Sequence, residues 1–140
     1  MNILAIDHGT KRVGLAVGST ETGVAAPLKL LENRGEAHLM EDIRAVVAGE
    51  GIDRVIIGLP LSETGGHTAQ EGIARAFAAK LGEALSIPVV LEDERLSSRE
   101  IENHMKAMGG KKAWKESGLD RDTAAAALFL QTYLDKLRTE

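Results

Sequence analysis

Residues 2–12, Asn-Ile-Leu-Ala-Ile-Asp-His-Gly-Thr-Lys-Arg, combine a short apolar run with an abrupt end in an acid, a glycine and a hydroxyl. The apolar run, residues 3–6, predicts a buried strand. Residues 13–18, Val-Gly-Leu-Ala-Val-Gly, predict a second strand directly afterwards, so the Gly-Thr pair between them forms the tip of a hairpin. Asp7 then stands at the base of that hairpin. The sheet orients an acid in this position toward solvent, which suits a group that binds a metal ion or faces a phosphate.

Further strands are predicted at residues 23–31, 54–60 and 88–92. Pro27 places the first of these at a sheet edge or a bulge, because proline cannot donate to a strand ladder. The apolar run 54–60 is typical of a parallel strand that is covered on both faces.

The helices follow from apolar spacing. Residues 35–49 predict one helix with Leu39, Ile43, Val46 and Val47 on its inner face, and residues 68–85 predict a second with Ile73, Phe77, Leu81 and Leu85 along one stripe. Ser97 is predicted to cap a third helix that presents Ile101, Met105 and Met108 inward. The last helix is predicted from about 120–122 to 137, and its alanines at 124–127 permit close approach to the sheet.

Three antiparallel strands followed by alternating helices and strands is the order of a ribonuclease H-like sheet. We therefore predict an α/β fold of this type, with a mixed five-stranded sheet flanked by helices. At 140 residues with 44% hydrophobic residues, the chain is expected to form one ribonuclease H-like domain over residues 1–140 with its own core.

Composition excludes several classes of protein. The sequence has no cysteine, which excludes a disulfide framework, a thiol nucleophile and a cysteine-ligated zinc site. No apolar run approaches the length needed to span a bilayer, and the N-terminus lacks the pattern of a secretory signal. A cytoplasmic protein without a membrane partner is expected, and its metal sites are limited to oxygen or histidine ligands.

The chain is acidic overall, but its basic residues occur in local groups. A net charge of −4 argues against coating nucleic acid by bulk electrostatics. If the basic residues converge on one face, an acidic protein still presents a basic groove to phosphates. The alternative is that they are scattered, solvated side chains. The basic residues in question are Lys11, Arg12, Arg95, Arg99, Lys106, Lys111, Lys112 and Lys115.

Acids stand at the ends of three separate elements: Asp7 after the first strand, Asp93 or Glu94 after the last strand, and Asp122 at the start of the final helix. In a mixed sheet with a central first strand, all three sites meet at one edge. Carboxylates from different elements hold hard cations such as Mg²⁺ or Mn²⁺. Two such ions would activate a water and neutralise the leaving oxygen in phosphodiester cleavage, with no serine or histidine nucleophile.

Each acid also has a structural alternative. Asp7 is able to hydrogen-bond the hairpin amides. Asp120 and Asp122 stand where a carboxylate caps a helix or interacts with its dipole. Asp93 and Glu94 are placed to form an exposed ion pair with Arg95, which contributes little energy. The coincidence of three acids at one edge favours the metal site.

Histidines and the single tryptophan give weaker signals. His8 adjoins Asp7, and a solvated or supporting role is favoured over direct substrate contact, because the proposed site requires no imidazole. His38, His67 and His104 have no metal-ligand spacing and are expected at the surface. Trp114 lies among lysines, where stacking on a base and anchoring of a loop are equally compatible with the pattern.

Four motifs cover nearly the whole chain in order: residues 6–17 (IDHGTKRVGLAV), 55–61 (VIIGLPL), 93–98 (DERLSS) and 122–126 (DTAAA). Together they resemble the signatures of the YqgF/RuvX family of Holliday-junction-resolvase-like nucleases. The resemblance implies a bacterial cytoplasmic nuclease with a ribonuclease H-like fold, associated in that family with maturation of the 5′ end of 16S ribosomal RNA. Some members are linked instead to resolution of DNA junctions.

The resemblance also implies a site. Asp7, Glu94 and Asp122 match the three catalytic, metal-binding acids, with Mg²⁺ or Mn²⁺ as the cofactor. Asp93 is a candidate to share the second role. The residues expected to contact the substrate backbone without reading its sequence are Lys11, Arg12, Arg95, Lys111, Lys112 and Lys115. His8 and the Ser97–Ser98 pair depart from the usual pattern of the family and affect the fit of a substrate rather than metal binding.

Four functions remain in competition. The first is a metal-dependent endonuclease on structured RNA, and the second is a resolvase of branched DNA, which usually acts as a symmetric dimer. The third is a non-catalytic RNA-binding ribosome-assembly factor. The fourth, a nucleotide-binding module of the sugar-kinase and actin type, is disfavoured because such proteins need two domains. We expect a monomer or a weak homodimer.

Overall fold

The computed structural model describes residues 1–59, 69–93 and 121–139. These ranges contain five strands, β1 (Asn2–His8), β2 (Arg12–Ser19), β3 (Ala25–Glu32), β4 (Arg54–Leu59) and β5 (Val89–Asp93), and three helices, α1 (Glu36–Glu50), α2 (Ala69–Ala84) and α3 (Arg121–Thr139). None of these helices is both long enough and apolar enough to cross a membrane. The helix predicted to begin at Ser97 lies outside the described residues.

The sheet has the order β3-β2-β1-β4-β5. Strand β1 pairs antiparallel with β2 and parallel with β4, and β4 pairs parallel with β5. This is a mixed five-stranded sheet, as predicted, with β1 at its centre. Because β1, β4 and β5 are parallel, their carboxyl ends lie at one edge, which is where open α/β sheets place their sites.

Strand β3 is an edge strand and also contains a bulge, so both alternatives predicted from Pro27 are present. The register shifts between Leu15 and Ala16 of β2, which pair with Lys29 and Pro27. Leu28 is therefore the extra residue on β3.

The two faces of the sheet pack against different helices. In β1, Leu4 and Ile6 belong to the core cluster that contains residues of α1 and α2. Ile3 and Ala5 belong to the cluster that contains residues of α3. This alternation follows from the two-residue period of a strand, and it assigns each later residue of β1 to a face.

The face toward α1 and α2 is built from large side chains. Phe77 and Leu81 of α2 are buried, as predicted, but Ile73 is 48% exposed, so its predicted place on the inner stripe is wrong. A spacing of four residues drifts about 40° per step around a helix of 3.6 residues per turn, so residue 73 is carried away from the face of residue 81. Ala74 and Ala78 take the buried positions instead.

The face toward α3 combines large apolar residues, such as Ile3 and Leu130, with a set of small residues. The alanines of α3 at 124–127 are all buried, and β2 contributes Gly14, Ala16 and Gly18 to the same face. A Cβ atom at Gly18 would lie 2.9 Å from a side-chain carbon of Leu134. The close approach of the last helix to the sheet is therefore confirmed.

Candidate functional site

Asp7 is the penultimate residue of β1 and is half-buried. Its cross-strand partner is Gly14 of β2. Directly opposed residues of an antiparallel pair point to the same face, so the side chain of Asp7 projects toward α3, in line with Ile3 and Ala5. The carboxyl group thus stands at the edge formed by the carboxyl ends of the parallel strands.

The first turn of α3 lies directly against the partner of Asp7. A Cβ atom at Gly14 would be 2.3 Å from the backbone oxygen of Asp122 and 2.8 Å from the backbone nitrogen of Thr123. Only a residue without a side chain allows the helix backbone to approach the strand this closely. The contact brings residue 122 to the strand pair that holds residue 7, although 115 positions separate the two in sequence.

Asp122 stands in the first turn of α3, where the helix dipole favours a carboxylate. Its Oδ2 atom lies 3.9 Å from Nε of Arg12, and the two side chains are 41% and 62% exposed. An ion pair this long and this exposed contributes little stability. The guanidinium of Arg12 is therefore available to an anion that approaches the two acids.

The hairpin tip between β1 and β2 is held by Asn33, the residue that follows β3, and no pattern in the sequence pointed to this contact. The side-chain amide of Asn33 donates to the carbonyl of Gly9 at 2.9 Å, and its backbone N–H donates to the carbonyl of Lys11 at 2.9 Å. Gly9 is required here, because a Cβ atom would lie 2.3 Å from the carbonyl oxygen of Arg12. These contacts fix the exposed Lys11 and Arg12 beside Asp7.

Several predicted site residues lie outside the described part of the chain: Glu94, Arg95, Lys111, Lys112 and Lys115. Asp93 is the last residue of β5, at the same sheet edge as Asp7. Among residues 1–59, 69–93 and 121–139, no three acidic or histidine side chains group closely enough to hold a metal ion. Two of the three predicted acids, Asp7 and Asp122, lie in the described part of the chain, and the complete three-acid site stays a prediction.

The donor chemistry of the two described acids fits a hard divalent cation. Mg²⁺ is commonly bound through one or two carboxylates, with waters and substrate phosphate oxygens completing the shell. The buried contact at Gly14 fixes the backbone from which one carboxylate projects and the strand pair that bears the other. Asp7 and Asp122 therefore fit Mg²⁺ or Mn²⁺ in their chemistry and in their place at the sheet edge.

His8 is the neighbour of Asp7 but projects to the opposite face. Its side chain is only 9% exposed, so the solvated role considered for it is wrong. The imidazole packs on the ring of Phe77, with centroids 4.8 Å apart and planes at 34°. Burial lowers the pKa of His8 below its ordinary value of 6.5, and the nearby carboxylate of Glu36 partly opposes this shift.

Of the other histidines, His38 is exposed on α1, as expected. His67 and His104 lie outside the described residues, as does Trp114.

Comparison with known proteins gives a family and a fold. The model of the RuvX family, described as Holliday junction resolvase, matches residues 1–136. A protein of Chloroflexus aurantiacus named "Putative pre-16S rRNA nuclease" is 36% identical over 137 residues, which cover 98% of this chain and 88% of that protein.

Two solved structures share the fold at low identity. Thermus thermophilus RuvC aligns with a TM-score of 0.62 and 16% identity over 92% of each chain. The Fowlpox virus resolvase, solved with Holliday junction DNA, aligns with a TM-score of 0.63 and 12% identity over 98% of this chain and 99% of that one. The fold is ribonuclease H-like, of the resolvase type, as predicted.

Proposed function

This chain belongs to the RuvX family, and on that basis we propose that it is a divalent-metal-dependent nuclease that hydrolyses phosphodiester bonds beside Asp7 and Asp122. The observation that supports the proposal most directly is the contact of the α3 backbone with Gly14, which brings the start of the last helix to the end of the first strand.

The proposed ligands of Mg²⁺ or Mn²⁺ are Asp7 and Asp122, together with Glu94. When bound, such an ion activates a water and neutralises charge on the leaving oxygen. Arg12 and Lys11 stand on the hairpin next to the acids and are proposed to bind the scissile or neighbouring phosphate. Arg95, Lys111, Lys112 and Lys115 are proposed to extend this contact along the nucleic-acid backbone. These groups position a strand without reading its sequence.

The proposed substrate is the 5′ end of precursor 16S ribosomal RNA, and the proposed compartment is the cytoplasm. The name of the Chloroflexus relative supports this choice, because that protein is 36% identical across nearly the whole chain. The second candidate is branched DNA. The structural similarity to RuvC and to a viral resolvase supports it at the level of the fold.

The test compares the wild type with Asp7→Asn on a precursor 16S rRNA fragment and on a four-way DNA junction, each with and without Mg²⁺. We expect Asp7→Asn to lower the rate about 100-fold or more, because a catalytic metal supplies several kcal/mol of transition-state stabilisation. Asp42→Asn, a change to an exposed acid on α1, is the matched control and should cleave normally. Calorimetric titration with Mn²⁺ gives a second readout that needs no substrate.

Undiminished cleavage by Asp7→Asn would remove the proposed site. Cleavage of the junction but not of the RNA, together with a dimer in sedimentation, would replace the RNA substrate by branched DNA. Binding of RNA without cleavage by any form of the protein would favour an assembly factor.

A further inference from the structure

A pocket of about 240 Å³ opens at the same sheet edge as Asp7, but on the opposite face. It lies between β1, α1 and α2. Its walls are mainly apolar and aromatic, with two polar side chains from the start of α1 and the residues before it. The lining residues are His8, Asn33, Glu36, Leu39, Ile73, Ala76 and Phe77.

One feature of this pocket is not explained by packing alone. The Nδ1 atom of His8 is buried and has no hydrogen-bond partner among the described residues, which is a cost that a leucine or phenylalanine would avoid. In addition, Ile73 is 48% exposed at the rim and adds apolar surface beside the aromatic floor. An aromatic floor with an exposed apolar rim is typical of a surface that a flat apolar ligand covers.

The charge of the pocket indicates which part of a nucleotide it accepts. Its charged lining residue is Glu36, whose carboxylate is bound by Lys80 at 3.1 Å. The lining residues include no lysine or arginine that would attract a phosphate, whereas the Glu36 carboxylate is able to accept a hydrogen bond from a base with an exocyclic amino group. At about 240 Å³, the pocket is below the roughly 300 Å³ at which pockets for drug-sized ligands begin, so it suits one ring system.

The position of the pocket connects it to the acids. His8 and Asp7 are consecutive in β1, so their Cα atoms are about 3.8 Å apart and their side chains point to opposite faces. A nucleic-acid strand with a phosphate beside Asp7 would have to cross this edge for one of its bases to enter the pocket.

We propose that this pocket binds a single nucleobase of the substrate strand, turned out of its stack and placed against the rings of His8 and Phe77. The inference rests on the proposed nuclease function and adds a binding site to it. Stacking of a base on aromatic rings is worth about 1–3 kcal/mol and tolerates different bases. The site would hold the strand in register at the acids, with a preference for bases that carry an amino group.

The first test uses Ala76→Trp, which places a large ring in the pocket, and Ala79→Trp, its matched control on the same helix. Both alanines are exposed, and only residue 76 lines the pocket. The probe is a fluorescent single-stranded RNA of the precursor sequence, and Asp7→Asn is added to both variants to prevent cleavage. Ala76→Trp should weaken binding about 5- to 150-fold relative to Ala79→Trp, which corresponds to the loss of one stacked base.

The second test leaves the protein unchanged and moves an abasic site along the RNA. One position should weaken binding to the protein that carries only Asp7→Asn and should have no effect once Ala76→Trp has closed the pocket. Titration with single nucleosides, followed through the proton resonances of the His8 ring, should show larger shifts with guanosine, adenosine or cytidine than with uridine. Equal binding by the two tryptophan variants, or an abasic scan without a sensitive position, would overturn the proposal.

The failures of the two proposals are distinguishable. If Asp7→Asn abolishes cleavage while Ala76→Trp binds normally, the nuclease stands and the base pocket is wrong. If no form cleaves RNA or DNA but one abasic position still weakens binding, the pocket stands as part of an RNA-binding surface. Thermal melting of each variant checks folding, and Ile73→Ser, a change at the exposed rim, is the second variant if Ala76→Trp is unstable.

Discussion

The two faces of the sheet at the end of β1 are built in opposite ways. Toward α3, glycines and alanines allow the helix backbone to approach β2 until residues 14 and 122 are in contact. The face toward α1 and α2, here called the thick face, is packed with large side chains such as Leu39, Phe77 and Leu81. On the other, the close face, the first turn of α3 lies beside the strand pair that bears Asp7. The pocket lies on the thick face.

Because successive side chains of a strand point to opposite faces, β1 presents different residues to the two sides of the sheet. Asp7 and His8 are neighbours in sequence, yet Asp7 projects toward the close face and His8 is buried against the ring of Phe77. The protein should lose stability when a side chain is enlarged on the close face. It should also lose stability when a large side chain is shortened on the thick face. The following predictions test this contrast, beginning with the largest expected effect.

Leu81→Ala should lower the free energy of unfolding by about 2–5 kcal/mol, because it leaves a cavity in the thick face. Leu81 is fully buried. Ile73→Ala on the same helix is the control and should cost less than about 1 kcal/mol, because half of that side chain is already in solvent. Urea unfolding measures both changes, and equal losses would contradict the observed rotation of α2.

Gly14→Ala should destabilise the protein by about 1–3 kcal/mol, because the new methyl group meets the backbone of α3 rather than a flexible side chain. It should also reduce Mn²⁺ binding, since α3 must move away from β2. Gly72→Ala is the matched control, because a Cβ atom there meets nothing within 4 Å. That change should stabilise α2 by about 0.5–1 kcal/mol.

If Gly14→Ala were as stable as the wild type and bound Mn²⁺ equally well, the close approach of α3 would not be required for the site.

The smallest effect concerns pH and the buried imidazole. Because burial lowers the pKa of His8, the unfolded chain binds more protons as the pH falls below the ordinary value of 6.5. The buried, neutral imidazole is therefore compatible with full stability above pH 6.5, and the free energy of unfolding decreases as the pH falls below that value. Between about pH 8 and about pH 5, the wild type should lose more stability than His8→Phe in urea unfolding.

His38→Gln, at an exposed position on α1, provides the control for this comparison and should follow the wild type at each pH. A wild-type slope no steeper than that of His8→Phe would contradict the burial of the imidazole.

Much of the architecture could be predicted because it depends on local patterns. The period of two in β1 and β2, the proline of β3 and the apolar run of β4 each report a property of their own segment. The order of these segments then leaves few topologies. The expectation that Asp7 and Asp122 meet at one edge followed from that order together with the family resemblance. The contribution of Glu94 remains a prediction.

The sequence alone was enough to predict the strands, their order along the chain, the acids at the ends of elements and the small residues of the last helix. The packing of the folded chain was needed to show that Ile73 faces solvent, that Gly14 contacts the backbone of residue 122 and that His8 is buried against Phe77. The physical reason is that periodicity fixes which residues share a face of their own element. Which neighbour covers that face, and how closely, depends on packing between segments that are distant in the chain.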